Sequence, residues 1–208
     1  MKSRLFNIAL KQSLFPIIFG ALFLFGGITL LTTGDISLGS IFVAIFGIGF
    51  LVAFGLPLIN GGYLKDFNAV LSGNGLTMEQ VEADLAGAQK FKNIEFGRNY
   101  ALVLNESPKL VVLQNLVWCY GVNTTTTHKL YGIIPTGKTK SYAVKLINRD
   151  RSEISVPVAK ETDSAPVLQA VQARVPAAIL GYNENIDNLA KANFAELVRY
   201  VDQRKQQA

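Results

Sequence analysis

The run QSLFPIIFGALFLFGGITLLTTG, residues 12–34, contains no charged residue over 23 positions. At 1.5 Å of helical rise per residue it is long enough to cross ~30 Å of hydrocarbon. A second uncharged run lies between Asp35 and Lys65, and its dense apolar part is IFVAIFGIGFLVAFGLPLI, residues 41–59. Backbone polar groups inside lipid must bond within their own segment, so both runs read as helices. They predict a transmembrane hairpin: a segment 1–11, a first span over 12–34, an external turn over 35–38 and a second span over 39–62. A signal peptide has a shorter apolar core followed by a small-residue cleavage site, and residues 12–34 show neither.

The flanks orient the hairpin. Lys2, Arg4 and Lys11 precede the first run, Lys65 follows the second, and the connection carries only Asp35. Basic residues mark cytoplasmic flanks, so both termini are expected in the cytoplasm. No Asp, Glu, Lys, Arg or His lies inside either run. Proton relays and ion paths normally place an ionisable group there, so the hairpin reads as an anchor rather than a pore. Within it, Ser13, Gly20, Gly27 and Gly34 recur every seven residues, and Ser40, Ala44, Gly47 and Gly55 share a stripe. Small residues let helix backbones approach in lipid. The helices are therefore expected to pack through Gly20, Gly27, Ala44 and Gly47. The stripes Phe15, Phe19, Phe23 and Phe42, Phe46, Phe50, Phe54 are expected to face lipid or a partner subunit.

The chain has 208 residues, half of them hydrophobic, and a formal net charge of +5. The apolar excess sits in the two runs; the rest alternates in the ordinary way of an α+β domain. Residues 63–90 read as a connector, with Leu71 to Gly75 as its flexible part. A short helix follows, carrying the capping pattern Thr77 to Gln80. From residue 91 to 208 a small domain is expected. Its apolar period changes to two, and the expected strands are Phe91–Phe96, Tyr100–Leu104, Leu110–Leu113, Leu116–Tyr120, Thr125–Ile134, Thr139–Ile147 and Ile154–Val158. The turn-rich separators include Gly121-Val122-Asn123 and Pro135-Thr136-Gly137. About seven short strands joined this way predict an antiparallel meander. Helical spacing returns after Asp163 and Ser164, stops at Pro176, and resumes as one long amphipathic helix from Ile186 to Val201.

A two-helix hairpin followed by about seven strands and closing helices resembles bacterial two-pass membrane proteins with a pleckstrin-homology-like domain. The pieces Leu116-Val117-Trp118-Cys119-Tyr120 and Gly181-Tyr182 look like those of an uncharacterised family of that kind. The resemblance implies a bacterial inner-membrane location and a cytoplasmic domain. It does not carry phosphoinositide binding, because Lys90, Lys92 and Arg98 lack the tight basic spacing of that site.

The sharpest motif is GIIPTGKT, residues 132–139, which matches G-x-x-x-x-G-K-[ST] letter for letter. A phosphate loop must open a helix, so that its N–H groups wrap the phosphates while the lysine and hydroxyl take the outer phosphate and magnesium. Here Ser141 to Ile147 alternates as a strand, and the match reads as a hairpin turn made by Pro135, Thr136 and Gly137. Lys129, Lys138, Lys140 and Lys145 make that hairpin basic, which suits an anionic ligand or membrane surface. His128 is the sole histidine and Cys119 the sole cysteine, so neither a metal cluster nor a triad has its parts. Neither catalysis nor a cofactor is expected. The slight positive excess gives no support to nucleic-acid binding. The expected function is a membrane-anchored interaction or scaffold domain, touching the bilayer and a protein partner or a second copy. A nucleotide-binding protein using residues 132–139, and an oligomeric pore or transport accessory, are the alternatives.

Overall fold

A computed structural model describes residues 1–33, 38–104, 108–130 and 134–207, with side chains at all of these except 129, 130, 134–136 and 207. The expected external turn at residues 35–38 lies almost wholly outside this set. The architecture is α+β, in two compact units. One comprises Met1–Glu79 with Glu106–Pro108; the other comprises Gln80–Asn105 and Lys109–Ala208.

The first unit contains the two apolar runs. Helix α1 covers Lys2–Thr32, and α2 covers Leu38–Phe50. A π-helical turn, Leu51–Gly55, leads from α2 into α3, Leu56–Ile59. Both Lys2–Thr32 and Leu38–Ile59 are long and apolar enough to cross a membrane. The π turn ends two residues before Pro57, whose ring removes an N–H and crowds the carbonyl four residues earlier, inside that turn. Near the end of α1 the hydroxyl of Thr29 donates to the Phe25 carbonyl at 2.9 Å, and that of Thr33 donates to Thr29 at 3.1 Å. Such bonds satisfy hydroxyls where water is scarce.

The two helices touch through Gly20, Gly27, Ala44 and Gly47. A Cβ on Gly20 would stand 2.7 Å from the Phe50 Cβ, and one on Gly27 only 2.6 Å from the Ala44 nitrogen. A Cβ on Gly47 would stand 2.8 Å from the Gly20 carbonyl oxygen. Gly55 leaves this seam: a Cβ there meets nothing, because the π turn rotates the last part of the run. The phenylalanine stripes differ from expectation too. Phe19 meets Phe50 edge-on at 5.7 Å and Phe23 meets Phe46 at 6.4 Å, so the rings zip the helices together beside the glycines. Phe15 and Phe42, at 75% and 68% exposed, remain on the outside.

Helix α4, Lys65–Gly73, occupies residues expected to be a connector. Leu64, Phe67 and Leu71 are buried at helical spacing, and this outweighs the flexible Leu71-Ser72-Gly73 composition. Helix α5, Met78–Leu85, contains the division between the units.

The second unit is built on two four-stranded sheets. Strands β1 (Gln89–Lys90), β2 (Ile94–Phe96), β3 (Tyr100–Val103) and β4 (Lys109–Val112) form an antiparallel sheet in sequence order. The segment expected as one strand, Phe91–Phe96, is thus a hairpin end, closed by the Phe91 N–H donating to Ile94 at 2.8 Å. The second sheet holds β5 (Leu116–Leu130), β6 (Ile134–Asn148) and β7 (Glu153–Val158). Helix α6, Ser164–Arg174, follows, and then β8, Ile179–Leu180. Strand order is β7-β6-β5-β8, and β8 runs parallel to β5. The first sheet is thus the expected antiparallel meander, whereas β8 makes the second sheet mixed.

Two expected separators are absorbed into strands. Gly121, Val122 and Asn123 pair with Val144, Ala143 and Tyr142, so the strands on either side of them are one. Pro135 and Gly137 also lie in the ladder, so the turn expected at Pro135-Thr136-Gly137 is strand; residues 131–133 lie outside the described set. The expected long C-terminal helix is two, α7 (Glu184–Ala192) and α8 (Phe194–Gln207). Asn193 divides them by capping α8. Its Oδ1 accepts from the Glu196 N–H at 3.4 Å, while its amide donates to the Glu196 carboxylate at 3.2 Å.

One core lies between the sheets and α6. Phe96, Val103 and Val111 of the first sheet meet Cys119, Val144, Leu146 and Val156 of the second, and α6 adds Val167, Ala170 and Val171. The opposite face of the second sheet forms another core, where Val117, Trp118 and Ile179 pack with Phe194, Leu197 and Val201 of α8.

Candidate functional site

Strands β5 and β6 run 15 residues each, but their neighbours cover only their inner ends. Strand β7 pairs with β6 from Tyr142 to Ile147, and β8 pairs with β5 only at Trp118 and Cys119. From Asn123 to Leu130 and from Ile134 to Ser141 the two strands pair with each other alone. At ~3.3 Å per residue this is an arm roughly 20–25 Å long. All described side chains in it, residues 123–128 and 137–141, are exposed.

Local sequence explains the arm. Thr124 to Thr127 favour extended backbone through β-branching but offer too little apolar surface to draw a layer onto either face. Register then sorts the side chains. Thr125 faces Lys140 and Thr127 faces Lys138 across the ladder, so these four share one face. The other face carries the cross-strand pairs Thr126 with Thr139 and Thr124 with Ser141. There the His128 Nε2 sits 2.7 Å from the Thr139 hydroxyl. Toward the tip, the pairing shifts between His128–Gly137 and Lys129–Pro135, leaving Thr136 as an extra residue. A bulge tolerates proline, which has no N–H for the ladder, and adds twist.

The four expected lysines do not form one patch. Lys138 and Lys140 share a face, whereas Lys145, at odd spacing on β6, points to the other. Lys145 also forms an ion pair with Glu153 on β7. The side chain of Lys129 lies outside the described set. Glu106 and Asp150 bracket a stretch with no acidic residue, so the entire arm lacks carboxylates. That absence is readable in the sequence.

The phosphate-loop match falls in the same arm, and its Gly132 and Ile133 lie outside the described residues. Lys138 and Thr139 sit within β6, opposite Thr127 and Thr126, and the strand continues to Asn148 with no helix after them. Among the described residues, no three of His, Cys, Asp and Glu come together as metal ligands. Cys119 is buried in the core between the sheets, where desolvation pushes its thiol up to about 12.

Beside the root of the arm lies an aromatic cluster. The Trp118 and Tyr120 rings are 4.3 Å apart, and the exposed Tyr182 stands 5.6 Å from Tyr120. Its hydroxyl donates to Asp187 at 3.3 Å, and Lys191 donates to the same carboxylate at 2.6 Å.

Residues 61–190 match the family model described as "Domain of unknown function (DUF6709)". The chain belongs to the DUF6709 family. The DUF6709 segment begins at Gly61, directly after the second apolar run, and ends inside α7. It takes in both sheets, α6 and the whole arm, so the arm belongs to the family domain rather than to an appended segment. No match was found among curated proteins or among solved structures.

Proposed function

We propose that this DUF6709 protein is a membrane-anchored, non-enzymatic interaction protein that holds an acidic partner protein through its β5–β6 arm. The observation that carries this reading is the arm itself. Eleven described residues in two paired strands bury nothing, expose both faces and carry no carboxylate. An exposed ribbon of this kind offers main-chain edges and side-chain faces to a partner. Lys138 and Lys140 set its charge preference.

The anchor is the pair of apolar helices. Their basic outer flanks, Lys2, Arg4, Lys11 and Lys65, against a single Asp35 between them, favour a two-pass arrangement with both ends in the cytoplasm of a bacterial cell. A pleckstrin-homology-like reading of the domain gains support from element order. A four-stranded meander is followed by the three-stranded meander β5–β7, and then α6 enters the core shared by both sheets. In this reading β8, α7 and α8 are an added layer on the outer face of the second sheet.

Crosslinking capture from native membranes tests the proposal, using the tagged full chain, the double variant Lys138→Glu with Lys140→Glu, and a truncation to residues 1–65. A partner taken by the full chain and lost from the other two is the expected outcome. Equal capture by the arm variant sinks the arm as the docking element. Equal capture by the truncation moves the function into the helices.

A further inference from the structure

A cleft at the end of α6 holds three cations and no carboxylate. Its volume is about 400 Å³, and its walls are the β2–β3 turn, the turn after β4, the end of α6 and the last turn of α8. Arg98 comes from the first wall, Gln114 from the second, Arg174 from the third and Lys205 from the fourth.

Arg174 is fixed in place by neutral groups. Its Nε donates to the Gly97 carbonyl at 2.6 Å, its Nη1 to the Ala170 carbonyl at 3.0 Å, and its Nη2 to the Gln89 side-chain oxygen and the Phe96 carbonyl, both at 3.4 Å. The guanidinium also lies over the Phe96 ring, 5.4 Å from its centroid. None of these partners cancels its charge. Lys205 donates to the Gln114 carbonyl at 2.8 Å, and burial together with the nearby Arg149 guanidinium pushes its ammonium below the ordinary lysine range. Arg98 is exposed and has no partner among the described residues. Two carboxylates lie beside these walls, outside the lining, and Asp202 also attracts the Lys205 ammonium. Asp84 accepts from the Asn99 and Tyr100 backbone N–H groups, and Asp202 is paired with Arg149.

We propose that this cleft binds a small anion through a phosphate monoester group, with Arg98 and Lys205 closing on the phosphate and Arg174 as the preset cation behind it. Three cations line the cleft while no carboxylate does, and this net positive lining suits an anion. The exposed Arg98 guanidinium offers a fork that matches phosphate oxygens two at a time, whereas Arg174 contributes charge alone. The volume falls in the range of small-ligand sites, and Val175 and Pro176 supply an apolar wall for the carbon part of the ligand. The cleft is separate from the arm, so this proposal stands whether or not the arm docks a partner.

The test uses the full chain in nanodiscs of neutral phosphatidylcholine, titrated calorimetrically with inorganic phosphate and with glycerol phosphate. In parallel, the same discs are made with phosphatidic acid or with phosphatidylglycerol, a diester of equal headgroup placement, and the shift in Tm is read. Arg98→Gln and Lys205→Gln are the cleft variants, Arg98→Lys the charge-keeping one, and Lys138→Gln the control in the arm. Saturable, salt-sensitive binding, weakened about tenfold by each cleft variant and unchanged by Lys138→Gln, is the expected result. Binding of the soluble phosphates identifies a free ligand. A response to phosphatidic acid alone identifies a lipid headgroup. No response to any of these probes overturns the proposal, as does binding that both cleft variants leave intact.

Discussion

The Trp118 Nε1–H donates to the Gly181 carbonyl at 2.8 Å, and the Gly181 N–H in turn donates to the Cys119 carbonyl at 2.9 Å. These two bonds fasten the short parallel strand β8 to the edge of β5. Gly181 reaches this position with φ +83°, in the left-handed region, where a side chain is strained even with open space around it. Trp118 is only 1% exposed, so its indole has no water to turn to.

Trp118→Phe is therefore expected to destabilise the protein by about 1–3 kcal/mol, because a carbonyl loses its donor and the core loses volume. Gly181→Ala should cost about 1 kcal/mol through backbone strain alone, and Gly181→Asn less, since asparagine tolerates that conformation. Urea titrations of the three variants check this order. A harmless Gly181→Ala would mean that the turn relaxes out of the left-handed region.

The helix seam makes a sharper contrast. Gly20 and Gly47 sit where an added Cβ would overlap the other helix, whereas a Cβ at Gly26 or Gly49 meets nothing within 4 Å. Leucine at Gly20 or Gly47 should separate the helices and destabilise the pair by about 1–3 kcal/mol, as overpacking generally does. Leucine at Gly26 or Gly49 should be close to neutral. Thermal unfolding of the full chain in detergent measures both. Similar losses at all four sites would show that helix propensity and hydrophobicity, rather than the seam, set the result.

Much of this organisation is legible in residue order, and the failures have physical causes. The apolar runs announce themselves because an uncharged stretch of 23 residues has few other homes. Gly121-Val122-Asn123 looks like a turn by composition, yet ladder partners on β6 hold it extended; pairing across a sheet overrides local preference. The division at Asn193 was readable, since Asn193 and Glu196 stand at capping-box spacing inside an otherwise helical pattern. Strand β8 was not, because two residues carry no period. The two faces of the arm were also hidden. Lys138 and Lys145 look like neighbours in a basic run, and only odd spacing along a continuous strand separates them. The cleft cations Arg98, Arg174 and Lys205 come from three elements spread over half the chain, so no window contains them.

Cys119 supplies a pH test. Burial pushes its thiol up to about 12, against about 8.5 for an ordinary cysteine. The unfolded chain thus releases this proton earlier than the native one, and stability attributable to the group is complete below about pH 8.5. It declines by up to about 1.4 kcal/mol per pH unit above that point. Other groups titrate in the same window, so the comparison is between the native chain and Cys119→Ala. The native chain should lose stability faster from pH 9 to pH 11. At pH 8 its thiol should resist iodoacetamide until urea unfolds the domain. Rapid labelling of the folded chain would contradict the buried placement.

At the acid end the informative pair is Arg149 with Asp202, which ties the turn after β6 to α8. The Arg149 guanidinium holds the Asp202 carboxyl below its ordinary value through a direct hydrogen bond. A depressed carboxyl stabilises the fold above its unfolded value, near pH 3.9, and the contribution disappears as pH falls below that. Both side chains are partly exposed, so the effect is small and screened by salt. Asp202→Asn should accordingly lower Tm modestly at pH 7 in low salt, and the gap should narrow on moving either to pH 3 or to 1 M sodium chloride. A gap that persists unchanged under both conditions would show that Asp202 acts through packing of α8 and not through its charge.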